Sequence, residues 1–230
     1  MFSRIEQLIG KSQLNKIKNS TVVIFGLGGV GSYVAEALVR SGVGNIILVD
    51  ADKITVSNIN RQLPALTSTL NMYKTEVVKK RLLDINPNCN VGIITKFYNP
   101  GDFFDFIPMN TNCIVDAIDS FPSKLDLVVN AYKNNIKIFS AMGTGKKLDP
   151  EKLTIADISH THTCPLAKKL RSHLKKDGIT KGVTVVFSKE QPLTPSQSET
   201  GSIASMVFVP ATAGLLLAKA TITYLLEQDN

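Results

Sequence analysis

The first 140 residues alternate between short apolar runs and stretches of helical period. Residues 21–25 (TVVIF) end on a glycine cluster, the pattern of a buried strand feeding a turn. Over residues 30–41 the apolar positions Val30, Val34, Ala37 and Leu38 recur at helical spacing, and Gly42 and Gly44 close that helix. A second apolar run, IILVD, ends on Asp50, so the three pieces predict a β-α-β unit with a right-handed crossover and parallel strands. Residues 51–71 are polar and too long for a routine connection, which marks a functional loop. A helix is predicted over 73–85, stopped by Asn86-Pro87. Strands follow over 91–97, 113–117 and 136–140, with a helix over 123–134 between the last two. This alternation reads as an α/β chain with a Rossmann-like, doubly wound, mostly parallel sheet.

Past residue 140 the rhythm changes. KLTIADIS and VTVVFS alternate as antiparallel strands do, on either side of a helix over 166–176, and predict a C-terminal antiparallel extension. Residues 188–202 form a Pro-, Ser- and Thr-rich loop, and 211–227 a closing helix. The apolar run over 203–218 is long enough to raise a membrane span. Pro210 and Lys219 interrupt it, and a buried helix explains it better, so no membrane partner is expected. No linker stands out. The expectation is a single domain over 1–230, with a nucleotide-binding core over 1–140 and a substrate-facing extension over 141–230.

Charge adds a possible partner class. The formal net charge is +7, compatible with a polyanion. Residues 146–181 hold nine Lys or Arg against four acids, most of that excess. The three cysteines are odd in number, far apart and never in a C-x-x-C pair, which argues against a disulfide framework or zinc site and suits a reducing cytosol. The first residues, MFSRIEQLIGKSQL, lack the apolar core of a signal peptide, so a cytoplasmic location is expected.

The candidate chemistry begins at Gly26-Leu27-Gly28-Gly29-Val30-Gly31, between a strand and a helix. Glycines there let backbone approach a phosphate, while the helix N-terminus offers unpaired N–H groups. With Asp50 roughly twenty residues on, the segment fits a dinucleotide fingerprint, so the loop itself leaves the nucleotide open. Further residues narrow it: Asp50 and Asp52, then Asn58 and Arg61 in SNINRQ, Lys74 at a helix start, and Asp119 in DAIDS after an apolar strand. Cations neutralise a triphosphate and a carboxylate holds magnesium on it, whereas a dehydrogenase has no use for that set.

These residues also carry a resemblance. GLGGVGS, LVDADKITVSNINRQ, Lys74 and DAID are similar to the adenylation domain shared by ubiquitin-activating enzymes and the bacterial activators of sulfur-carrier proteins. FSRIEQLIG, EALVRSGVG, INPNCNV, DAIDSFPSK, SAMGTGKKLDP, and ADISHT followed by PLAKKLR resemble one branch of that family, the tRNA threonylcarbamoyladenosine dehydratases. The resemblance implies ATP and magnesium as cofactors, tRNA as substrate, and activation of the threonylcarbamoyl carboxylate as its adenylate. Attack from within the same side chain then closes a ring with loss of AMP. It implies that Gly26, Gly28, Gly29 and Gly31 cradle the nucleotide, with Asp52 beside them and Asp50 on the ribose. Asn58, Arg61 and Lys74 would contact phosphates, and Asp119 would hold magnesium. Arg4 would reach the triphosphate of a partner subunit, which implies a homodimer. A cysteine desulfurase or sulfur-acceptor system is a further candidate partner.

Against that background, PLAKKLRSHLKK gains a role: Leu166, Leu170 and Leu174 form one stripe, leaving Lys168, Lys169, Arg171, Lys175 and Lys176 to meet tRNA phosphates. Cys164 stands where relatives carry an aspartate, and is expected to be an inert thiol. His160 and His162 are a weak metal pair and read as surface residues. Three alternatives stay open: an activator of a sulfur-carrier protein, an NAD(P)-dependent oxidoreductase, and a non-catalytic nucleotide sensor.

Overall fold

In a computed structural model, which describes residues 1–194 and 204–228, the apolar runs become strands of one seven-stranded sheet. Two short helices precede it that periodicity does not announce. α1 (Ser3–Ile9) buries no residue, and α2 (Lys11–Asn19) buries only Leu14 and Ile17. β1 (Thr21–Phe25), α3 (Gly31–Arg40) and β2 (Asn45–Val49) make the expected β-α-β unit, with Thr21 opposite Asn45 and Phe25 opposite Val49 in parallel register. All five β1 residues are buried, as a central strand covered on both faces requires.

α4 (Lys74–Ile85) and β3 (Asn90–Ile94) extend the sheet past β2. The short α5 (Phe103–Phe106), also unannounced, then leads to β4 (Cys113–Asp116), which pairs with the other side of β1. α6 (Phe121–Lys133) and β5 (Lys137–Ala141) continue outward. The C-terminal part adds β6 (Leu153–Asp157), α7 (Pro165–Lys176), β7 (Thr184–Ser188) and α8 (Phe208–Glu227). Sheet order is β3-β2-β1-β4-β5-β7-β6. The antiparallel pair β6 and β7 is as expected, but β7 itself runs parallel to β5, so only the edge strand β6 opposes the rest. Of the 188–202 loop, residues 195–202 lie outside the described part of the chain.

Two cores flank the sheet. One joins Val34 and Leu38 of α3 to Val78 and Leu82 of α4 and to Ala213 and Leu217 of α8. The other joins Leu127 and Val128 of α6 to Leu170 and Leu174 of α7. α8 is long and apolar enough to cross a membrane, yet it packs on α3 with Ala213, Leu217, Ala218 and Leu225 in the first core. Pro210 does not break it. The helix starts at Phe208, so the proline sits in the first turn, where no intrahelical N–H is needed. Strand order reverses between β1 and β4, and such a switch point opens a crevice at the carboxyl ends of the strands.

Candidate active site

A cleft of about 940 Å³ occupies that crevice, a volume in the range of small-molecule sites. Its floor is the glycine turn after β1. Gly26 has φ +84, and a Cβ there would lie 2.6 Å from the Ala117 carbonyl oxygen. A Cβ on Gly31 would lie 1.8 Å from the Gly26 carbonyl oxygen, so this glycine serves the close approach of α3 to the turn. Gly26, Gly28 and Gly29 line the cleft; Gly31 lies just behind it in α3.

The loop after β2 supplies one wall. Asp50 accepts hydrogen bonds from the Leu27 N–H (2.6 Å) and the Asp52 N–H (2.8 Å), tying the β2 exit to the glycine turn. Burial raises the Asp50 pKa above the ordinary carboxylate range, opposed by the Lys74 charge and those two N–H groups. Lys74, at the start of α4, is only 5% exposed. Its ammonium lies 2.7 Å from Asp52 and 4.0 Å from Asp50. Asn58 ends a 3-10 turn over Val56–Asn58, where its side-chain oxygen accepts from the Thr55 N–H and its carbonyl from the Arg61 and Gln62 N–H groups. That turn aims Arg61 across the cleft floor, with Nη1 donating to the Ser57 carbonyl (2.8 Å) and the Asn60 side chain (2.9 Å).

The opposite wall begins where β4 ends. Asp119 is exposed in the cleft, while Asp116, three residues earlier, is fully buried. Asp116 pairs with Lys124 of α6 at 2.6 Å and accepts from the Ser140 hydroxyl at 2.5 Å and the Ile118 N–H at 3.1 Å. This knot pins the exit of β4 to α6 and β5 and so fixes the base from which Asp119 projects. Ser120, with no side-chain cap bond, occupies the N-cap of α6, so Asp119 does not cap that helix.

Gln62 and Lys147 are buried polar residues of this cleft that the sequence does not single out. Gln62 is 8% exposed, and its buried side-chain oxygen has no hydrogen-bond partner among the described residues. Lys147 is 2% exposed and donates to the Gly143 carbonyl at 2.6 Å. Burial lowers the Lys147 pKa, against the influence of Cys164 and Glu190. Gln62 stands inside SNINRQ and Lys147 inside GTGKKLDP, so the motifs were visible while the burial that distinguishes these two was not. Cys164 is itself buried and lines the cleft at the N-cap of α7.

Other candidates lie outside the cleft. Arg4 is exposed on α1, and the neighbouring Phe2 packs near Gly42 at the amino end of β2, the opposite end of the sheet. On α7, Lys168, Lys175 and Lys176 are exposed. Lys169 is also exposed but sits 4.0 Å over the Phe121 ring, and Arg171 donates to the Thr161 carbonyl (2.9 Å) and hydroxyl. His160 and His162 join no metal-binding group among the described residues, and the His162 ring packs against Phe187.

The ThiF family profile matches residues 2–230. The tRNA threonylcarbamoyladenosine dehydratase of Bacillus subtilis is 42% identical, over 98% of this chain and 94% of its own length. The enzyme of that name from Haemophilus influenzae is 34% identical, over 100% of this chain and 94% of its own length. Crystal structures of the E. coli tRNA N6-threonylcarbamoyladenosine dehydratase, in complex with ATP and with AMP, superpose with a TM-score of 0.91 at 33% identity, covering 97% of this chain and 93% of theirs.

Proposed function

This chain belongs to the ThiF family, and from that premise we infer that it is an ATP-dependent enzyme that dehydrates threonylcarbamoyladenosine in tRNA by adenylating its carboxylate. The observation that carries the reading is the match, over nearly the whole chain, to a dehydratase crystallised with ATP and with AMP. The same near-complete match to the dehydratases sets aside the sulfur-carrier, oxidoreductase and sensor alternatives.

A carboxylate oxygen of the threonylcarbamoyl group attacks the α-phosphorus of ATP, and pyrophosphate leaves. Attack on the acyl carbon from within the same side chain then closes the ring and expels AMP; the base has lost one water. No side-chain nucleophile is required, so the protein's task is alignment and neutralisation of phosphate charge. The glycine turn with Asp50 and Asp52 holds the nucleoside end. Asn58, Arg61 and Lys74 meet the phosphates, Arg61 through a forked contact and Lys74 as a point charge. Magnesium commonly takes one or two protein carboxylates and completes its shell with phosphate and water, which the exposed Asp119 carboxylate in the cleft fits. There it would supply further neutralisation of the phosphates.

Residues 141–230 form the tRNA side in this reading, with Lys168, Lys169, Lys175 and Lys176 of α7 facing phosphates and Arg171 holding α7 to Thr161. The protein acts as a homodimer in which Arg4 reaches the partner's cleft, since within its own chain it stands at the wrong end of the sheet. Exposed Phe208 and Leu215 on α8 suit an apolar contact between subunits. A tRNA substrate and three unpaired cysteine thiols fit a reducing cytoplasm. All three thiols are buried, so a cysteine desulfurase or sulfur acceptor would dock here without a surface thiol to load. Mass spectrometry of nucleosides from tRNA incubated with the enzyme and ATP tests the activity. Loss of one water from threonylcarbamoyladenosine is expected, and an unchanged nucleoside overturns the reading.

A further inference from the structure

We propose that Lys147 receives the carboxylate of the threonylcarbamoyl group and holds it beside the nucleotide; the proposal rests on the activity inferred above. Among the described residues three lysines are buried: Lys74, Lys124 and Lys147. Two of them have a carboxylate in contact, Asp52 at 2.7 Å from Lys74 and Asp116 at 2.6 Å from Lys124. Lys147 has none within 4.0 Å among the described residues; its one hydrogen bond goes to the Gly143 carbonyl. The nearby Glu190 is engaged elsewhere, accepting from the Leu148 and Asp149 N–H groups at 3.0–3.2 Å. An ammonium has three donors and a full charge, and burying it without an anion is costly unless a ligand supplies one. Lys147 lines the cleft, where such a ligand binds.

Its place indicates which anion. Arg61 and Lys74 approach from the side of β1 and β2, whereas Lys147 follows β5, beyond β4 and Asp119. Neighbouring strands are about 4.8 Å apart, so β5 lies roughly 10 Å from β1. Adenylation must bring two anions together, the triphosphate and the carboxylate. A cleft with cations only on the phosphate side would repel the second. Lys146 also lines the cleft on this side but is only half-buried, and Lys147 supplies the desolvated charge: its ammonium donates to one carboxylate oxygen, leaving the other free to form the bond to the α-phosphorus as the bond to pyrophosphate breaks. No proton is transferred to or from the lysine.

The test compares Lys147→Met, Lys147→Gln and Lys147→Arg with wild type, using tRNA that carries the threonylcarbamoyl group and the same tRNA without it. Removing the ammonium should raise KM for the modified tRNA about tenfold or more. Affinity for the unmodified tRNA and KM for ATP should stay unchanged, and arginine should restore part of the loss. KM does not depend on the active fraction of the enzyme, so partial unfolding of one variant leaves that comparison intact. An unchanged KM for modified tRNA in both neutral variants overturns the assignment, as does a selective loss of ATP affinity, which would place Lys147 on a phosphate. Wild-type product formation is scored separately: if it is absent, the activity reading fails, and if it is present while the variants match wild type, only the Lys147 assignment fails.

Discussion

Lys74, expected from the sequence to contact phosphates, is 5% exposed and already bound to Asp52. A cation already held by carboxylates is preorganised: its position is fixed before any phosphate arrives, and little reorganisation accompanies the reaction. Replacing Arg61, Lys74 or Asp119 by alanine should therefore lower turnover about 10²-fold or more in the nucleoside assay. Full activity in all three variants would remove these residues from the chemistry. Lys74→Ala should also lose stability, because it leaves Asp50 and Asp52 without their cation, whereas Arg61→Ala and Asp119→Ala should melt near wild type. A different kind of lysine is Lys124. Its ammonium and the Asp116 carboxylate are both fully buried, so Lys124→Met strands a buried charge and should cost about 3–5 kcal/mol in urea unfolding. The double variant with Asp116→Leu should recover much of that loss; no recovery would mean the pair contributes through packing alone.

α7 divides its residues by face. Ala167, Leu170 and Leu174 enter the second core, and the helix is further fixed by Arg171 on Thr161 and Lys169 over Phe121. Of the exposed lysines offered to a polyanion, Lys168, Lys175 and Lys176 can be changed without disturbing these contacts. Reversing those three charges should weaken tRNA binding and flatten its salt dependence, each lost phosphate contact lowering the slope by about 0.9 where the contact is to duplex. Unchanged affinity would take α7 out of the interface. Arg171→Glu belongs to a separate experiment, because breaking its bonds to Thr161 perturbs the helix itself. Folding and binding readouts separate the two cases: Arg171→Glu should shift the melting temperature, and the triple reversal should not.

For the whole molecule, the decisive geometry is that α1 and the cleft sit at opposite ends of one sheet. If Arg4 serves a partner's site, Arg4→Ala and Lys74→Ala are each impaired as homodimers, yet a mixture restores one complete site per heterodimer. Random exchange of subunits should then return roughly a quarter of wild-type activity. Light scattering should report a dimer under the same conditions. A monomer, or a mixture no more active than its parents, would end this role for Arg4.

The chain's own pattern determined the strands and most of the helices, because a central parallel strand must be apolar at nearly every position and a covering helix must repeat an apolar face; TVVIF and the Leu170–Leu174 stripe show both. It also determined the glycine turn and the residues around it, since phosphate approach demands small residues at fixed offsets. α1 and α2 stayed hidden because almost none of their residues is buried, which leaves no periodic signal. Tertiary structure alone decided which charges are buried and with whom. Asp116 meets Lys124 through the packing of α6 against β4 and β5, and Lys74 meets Asp52 through a loop that folds back over twenty residues. Lys147 is left lining the cleft with no carboxylate within 4.0 Å among the described residues. Residue type fixes what a side chain can do; its desolvation and its partners depend on contacts distant in the chain, and those decided the site.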